Sequence, residues 1–349
     1  MKAYKGFDEN LRGKNAFQFE IGKVYEEDVA DLCEQGFHAY EEPLEVLGYY
    51  PPGNQMRYCE VELDANEQRT YNSQRVGKRI KIVAEIGIEE LVKAHIEYVK
   101  KHIQCSKIAK KGGAATAGKY GSAAAGKKGA AIAGERGLAT AKRGGAATAG
   151  RKGVAVAGNY GTAVAGYEGV AISGETGVAT VDGPGVATTG NYGVATVGCC
   201  GVATSGHRGT ATAGVKGLAA VGENGVAVAG ERGAATAEAY GTATAGERGT
   251  ATAEAYGTAT AGKSGAATAG NYGVATSRGE SAVGESGLAV ARGRNVKVKG
   301  KLGAVLVIAE EGDDESIIKE CKLAVVDGKE IKPNVWYRLE NGKFVEVEL

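Results

Sequence analysis

Residues 257–264 read Gly-Thr-Ala-Thr-Ala-Gly-Lys-Ser and satisfy the phosphate-loop pattern GxxxxGK[ST] letter for letter. In that motif backbone N–H groups and the lysine hold phosphate, which needs a buried strand before the loop and a helix N-terminus after it. Here the same glycine spacing recurs on both sides, so Lys263-Ser264 reads as turn filling and no cofactor is expected. Cys199, Cys200 and His207 form the one soft-ligand grouping. They lack further His or Cys at ligand spacing, so they also read as turn residues and no metal is expected. The remaining residues suited to acid–base or nucleophilic work lie in the first hundred positions: Lys5, His38, Tyr49, Tyr50, Glu60 and Glu62. A histidine, a tyrosine and a strand-borne glutamate can share proton transfer. The plainer reading makes His38 a hydrogen-bonded core residue and the two glutamates a solvated strand face.

Most of the positions that carry these candidates belong to, or precede, a long array. From Gly113 to Glu280 the unit G-x-A-x-x-G-x-x repeats every eight residues without insertion, and its first glycine and its alanine never vary. Fixed-period self-similarity predicts a solenoid, and abundant Gly (57) with scarce Pro (5) argues against collagen or a disordered linker. Short x-A-x-x strands should alternate with G-x-x-G turns, with glycines supplying positive φ at the corners. Tyr160, Tyr192, Tyr240, Tyr256 and Tyr272 are separated by multiples of 16 residues, so two octads make one coil.

Side chains alternate across a strand. The small residues at positions 3 and 5 therefore belong inside, and the Val, Thr, Leu and Ile of positions 2 and 4 outside. One outer face then carries Thr162/Val164, Val178/Thr180, Val194/Thr196, Thr210/Thr212, Val226/Val228, Thr242/Thr244, Thr258/Thr260 and Val274/Thr276. This regular semi-apolar surface is the candidate interaction face, with Tyr240, Tyr256 and Tyr272 as a candidate ladder at its edge. The opposite face is less pure, with Leu218, Ala220, Ala234 and Ala266. A second copy is the natural partner for such a face, giving a homo-oligomer.

Residues 1–110 have ordinary globular composition and read as an α+β head. MKAYKGF, FQFEIGKVY, MRYCEVEL and KRIKIVAEI are predicted strands, EEDVADLCEQG a short helix closed by Gly36, and Ile88, Leu91, Val92, His95, Ile96, Val99 and Ile103 one apolar face of a longer helix. The repeat occupies 111–302. After Glu280 its register slips by two residues, and 303–349 reads as a small β cap with Asp327-Gly328 and Asn341-Gly342 turns and a core of Leu306, Trp336, Tyr337 and Phe344. Lys plus Arg (42) balances Asp plus Glu (41), so neither nucleic acid nor an acidic membrane surface is expected as a partner. The six cysteines are too scattered for a disulfide framework. No signal-peptide or membrane-spanning run stands out, which suggests the cytoplasm or a phage particle.

The head resembles a family of domains of unknown function found in phage and prophage proteins, often ahead of glycine-rich octads. The residues carrying the likeness are Lys5-Gly6-Phe7, Gly36-Phe37-His38-Ala39, Pro43-Leu44, Tyr49-Tyr50-Pro51-Pro52 and Arg57-Tyr58-Cys59-Glu60-Val61; Tyr40 stands where related chains often have Cys. The resemblance implies a phage or prophage setting and supplies no established activity or mechanism; the head is separately a candidate for binding a protein partner. The expected protein is thus mostly β, a two-sheet β-roll of 16 residues per coil between an α+β head and a β cap, elongated and non-enzymatic. Two alternatives stand beside it: regular threonine ranks are similar to those of ice-binding solenoids, and the His-Tyr-Glu order is similar to that of ADP-ribosyltransferases.

Overall fold

The computed structural model describes all residues except 14–15, 32–34, 53–55, 70–72, 313–316 and 348–349. The fold is mostly β, 53% strand and 7% helix, with a β-solenoid of about 13 turns and roughly 16 residues per turn. Two compact units divide the chain, Met1–Ser173 with Thr180–Ala187, and Gly174–Ala179 with Thr188–Leu349. No helix among the described residues is long and apolar enough to cross a membrane.

The first unit opens with the head: β1 (Lys2–Phe7), β2 (Val24–Glu26), β3 (Phe37–Tyr40), α1 (Val46–Tyr49), β4 (Arg57–Arg69), β5 (Gln74–Ile86) and α2 (Ile88–Lys101). β4 pairs with β1 and β5, and β3 pairs with β5 and β1, so four strands close on themselves while β2 extends the sheet beside β5. Ala3, Phe7, Phe19, Phe37, Val61, Leu63, Ile80 and Ile82 fill the interior. The closure is weakest between β1 and β3, which share only the pair Tyr4↔Tyr40. Leu91, His95 and Val99 form the buried stripe of α2, as the 3.6 periodicity predicts, while Ile103 lies past the helix end.

Two local expectations fail here. The segment predicted as a helix before Gly36 is not helical at its described residues, where Asp31 pairs with Gln35 as an antiparallel bridge; Cys33 lies outside the described residues. Of FQFEIGKVY only the end is strand. Phe17 and Phe19 instead form an aromatic cluster with Tyr25, at centroid distances of 4.8 to 5.5 Å, because ring packing outweighs ladder pairing there.

Within the repeat each strand pairs in parallel with the strand sixteen residues on: Leu138↔Val154 and Ala146↔Thr162 in the first unit, Val194↔Thr210 and Val226↔Thr242 in the second. The alanines of positions 3 and 5 are buried throughout, so the small residues do form the interior. Where a hydroxyl replaces a position-5 alanine it finds a partner: Ser173 Oγ donates to the Gly161 carbonyl at 2.8 Å and Ser205 Oγ to that of Gly193 at 2.9 Å, while Thr189 and Ser277 share hydrogen bonds with the hydroxyls of Ser205 and Ser281.

The corner glycines serve a different purpose from the one expected. Left-handed φ falls on position 8, occupied by residues such as Tyr240, Arg248, Tyr256 and Ser264 at 54° to 59°, and not on the flanking glycines, except where Pro184 holds position 8 and Gly183 and Gly185 take the positive φ. Position 1 is glycine because backbone approaches there: a Cβ at Gly257 would lie 2.8 Å from the Ala253 Cβ and 2.9 Å from the Gly241 carbonyl oxygen. Position 6 is tight as well, yet the chain places Glu254 and Lys142 there.

In the second unit the coil shortens to 14 residues where the sequence slips, Val274 pairing with Leu288, and then lengthens to 17, Leu288 pairing with Val305. Val305–Glu311 is covered by the antiparallel strand Ile318–Val325, and Trp336–Glu340 turns at Asn341-Gly342 into Lys343–Val347. Leu306, Ile308, Tyr337 and Leu339 form the buried part, with Phe344 against Tyr337 at 6.2 Å. Trp336 does not join them. It lies with Lys297 and Lys299 ammonium groups 5.1 and 4.7 Å from its ring, the alternate residue of a strand whose other face is buried. Asp327-Gly328 is a turn in which Asp327 Oδ1 accepts from the N–H groups of Lys329, Glu330 and Ile331, but a longer connection, not a tight hairpin, follows it.

Candidate functional site

The loose seam between β1 and β3 opens a cleft of about 720 Å³ in the head. Lys5 lines it and donates from Nζ to the His38 carbonyl at 2.8 Å. A Cβ at Gly6 would collide with the Tyr50 side chain, so glycine next to Lys5 is what lets Tyr50 pack against β1. Tyr58 Oη holds the Tyr50 carbonyl at 2.6 Å, and the rings of Tyr40 and Tyr49 stand 5.4 Å apart. Phe17, Phe19, Phe37, Glu27 and Gln74 complete much of the lining.

Electrostatics in the cleft follow burial. The Lys5 ammonium is pushed down to about 8 by desolvation. His38 is held below its ordinary value by burial and then by the nearby Lys5 charge, while burial holds the Tyr40 and Tyr50 hydroxyls above theirs. Of the residues singled out from sequence, Lys5, His38, Tyr49 and Tyr50 come together here. Glu60 and Glu62 do not: Glu60 pairs with Lys2 at 2.7 Å and Glu62 sits 4.0 Å from Lys81. The carboxylate that does line the cleft is Glu27, whose Oε2 accepts from the Gly36 N–H at 3.1 Å. No spacing in the sequence pointed to it.

A second grouping ties the head to the repeat within the first unit. Lys152, buried at a coil corner, bonds the Glu45 carboxylate and lies 3.7 Å from Glu42 and 3.5 Å from Glu168. Arg136 reaches Glu42 at 2.5 Å, and Ser73 Oγ donates to Glu45 at 2.5 Å. Positions 136, 152 and 168 are the same corner of three successive coils. Val154 and Val170, outward by position, are nevertheless fully buried. The signal for this attachment is present in the sequence as valine at position 2 of the alternate octads at 154, 170 and 186, on the face opposite the Thr/Val array.

On the repeat, none of the sixteen residues of the candidate face is buried: Thr162 and Val164 point outward in the first unit, as do Val178 and Thr180 on their strand. From Val194 onward the second unit sets them in two ranks, Val194, Thr210, Val226, Thr242, Thr258 and Val274 in one, Thr196, Thr212, Val228, Thr244, Thr260 and Thr276 in the other. Thr260 and Thr276 share a hydroxyl hydrogen bond at 3.1 Å. Tyr240, Tyr256 and Tyr272 do stack, with centroids 5.0 and 5.1 Å apart and planes within 10°.

Cys199 and Cys200 are free thiols, the latter raised by burial and by its neighbour. His207 turns to Tyr192 and Glu223 instead, and no metal-holding group is found among the described residues. Lys263 and Ser264 lie inside the strand Thr258–Ala269, with no helix N-terminus after them.

The pattern of a domain of unknown function, DUF7666, matches residues 1–94, so the cleft lies wholly within that domain. Lys5-Gly6, Gly36-Phe37-His38 and Tyr49-Tyr50, three of the segments that carry the family likeness, meet around it. No curated protein and no solved structure matches the chain.

Proposed function

We propose that this protein is a non-enzymatic binding and structural component of a phage or prophage, in which the DUF7666 head is carried on a repeat that self-associates through its Thr/Val face. The observation that carries this reading is the pair of in-register ranks from Val194 to Val274 and Thr196 to Thr276. A solvent-facing array of β-branched side chains of this regularity is semi-apolar, and soluble monomers leave little such surface open. The same face of a second copy is the simplest cover, because a two-fold axis makes one patch complementary to itself.

What supports a non-enzymatic role is the separation of Glu60 and Glu62, paired with lysines of their own, from His38 and the tyrosines. The phage setting rests on the order of the chain, a head of this family ahead of glycine-rich octads, and neighbouring tail genes would be its independent mark.

The test of self-association is charge placed on the seam. In Thr212→Lys/Thr244→Lys, like charges face each other across the two-fold, so light scattering should report a dimer for the unmodified chain and a monomer for the variant, with the strand signal by circular dichroism unchanged. A chain already monomeric at high micromolar concentration overturns the reading. Thermal hysteresis measured on that monomer would then test the second candidate, ordered water, which the threonine-rich part of the ranks favours.

A further inference from the structure

The head contains a buried ammonium that has no carboxylate counter-ion among the described residues and only the Phe7 ring, 5.7 Å away, beneath it. Lys5 is 9% exposed, and among the described residues its Nζ makes one hydrogen bond, to the His38 carbonyl, with no ion pair to a carboxylate. An ammonium has three donors, and a buried charge lacking a partner is costly enough that a fold without use for it would be more stable with an apolar residue there. Two donors are therefore left for whatever enters the cleft. The cleft itself is of ligand size, and its walls are flat rings: Tyr40 against Tyr49, with Tyr50 fixed on Gly6. Glu27 on the same lining disfavours a second negative charge.

We infer that the head cleft is a binding site for a small monoanion borne on a flat ring, an aromatic carboxylate or sulfonate, with Lys5 Nζ receiving the anionic group and Tyr40, Tyr49 and Tyr50 the ring. This site is independent of the repeat face, and either can fail without the other. It also explains the glycine at position 6, which gives up a side chain so that Tyr50 can close one wall.

The site carries a pH signature. Binding needs the charged lysine, and burial places Lys5 at about 8. The other ionisable groups on the lining are Glu27, His38, Tyr40, Tyr49 and Tyr50. His38, held below its ordinary value, is already neutral above pH 7, and Tyr40 and Tyr50, held above theirs, stay protonated. Affinity should thus fall about tenfold between pH 7 and pH 9 as the ammonium is lost.

The experiment is calorimetric titration of the full chain with anilinonaphthalene sulfonate and with its neutral parent, phenylnaphthylamine. We expect the sulfonate to bind one per chain, to lose at least tenfold in Lys5→Met, and to be retained within a few-fold in Lys5→Arg, while the neutral compound responds to neither change. Sulfonate binding that survives Lys5→Met undiminished, or equal affinity for both compounds, overturns the inference. Should Lys5→Met fail to fold, the pH series on the unmodified chain decides: a flat profile from pH 7 to 9 overturns it as well.

Discussion

The head and the repeat bury their backbones in opposite ways. In the head, large side chains such as Phe7, Leu63, Ile80 and Ile82 set the distance between strands, so a seam can be left loose and walled with rings. In the repeat the distance is set by backbone ladders closing on alanine methyls and bare glycines, with position 5 widening at most to buried valine, serine or threonine, as at Val181, Val197, Val221 and Thr189. A core built from side chains can enclose a ligand, whereas one built from backbone offers only surfaces. This is why the titratable groups with displaced protonation gather in the head, and why the repeat offers ranks of side chains and stacked rings.

The sharpest way to break this division is at the point where the two regions meet. Lys152→Met should destabilise the first unit by about 3–5 kcal/mol, because it leaves the buried Glu45 carboxylate without its cation and takes one away from Glu42 and Glu168, with Arg136 still on Glu42. A thermal melt followed through the head's tyrosine signal reads this directly. An unchanged melt would mean that the head and its coils do not depend on each other.

Acid should sharpen the contrast next. His95 is fully buried on α2 and held at about 4 instead of 6.5 by desolvation. The unfolded chain therefore takes up a proton before the folded head does, so the contribution is intact above pH 6.5 and drains away as pH falls toward 4. The expected loss is on the order of 3 kcal/mol. Chemical denaturation at pH 7 and pH 4.5, compared with the same pair of measurements on His95→Phe, isolates it: the variant should be less sensitive to acid.

Overfilling distinguishes the two cores more gently. Ala211→Leu should cost about 3 kcal/mol and unravel its neighbourhood, whereas the volume-conserving Leu63→Met in the head should cost under about 1.5 kcal/mol. Hydrogen exchange would localise the damage in the first to the coils around residue 211. Equal tolerance of both would mean that the alanine interior is slacker than its full burial implies. The smallest effect is a gain. Ser264 holds a left-handed φ of 54°, so Ser264→Gly should stabilise the repeat by about 1 kcal/mol, while Gly257→Ala, at a position of close approach, should weaken it.

Much of this architecture was legible in the sequence, for reasons that differ by region. Tyrosines at multiples of sixteen disclosed the coil, and an unbroken alanine at position 3 disclosed the interior, because a one-dimensional repeat writes each contact many times. The role of the corner glycines was not legible, since positive φ and close backbone approach leave the same letter. In the head each contact is written once. Lys5, His38, Tyr49 and Tyr50 were recognisable by type, but Glu27 reaches the cleft through chain closure that no local pattern encodes, and the aromatic pairing of Phe17 with Tyr25 displaced the strand that alternation suggested. The bond from Lys152 to Glu45 spans 107 residues, far beyond any periodicity, and only the buried valines of alternate octads hinted at it. Trp336 was misplaced because strand alternation alone cannot say which of two neighbouring rings, Trp336 or Tyr337, faces inward.

The coil of sixteen made from units of eight has a consequence for how such a gene can change length. Because partners are two octads apart, a duplication or loss of one octad would send every later strand to the opposite sheet and exchange the threonine ranks with the alanine-bearing side. Gain or loss of two octads leaves every pairing in phase. Copying errors in this array therefore carry a parity, and lineages that keep one face in use are confined to steps of an even number of units.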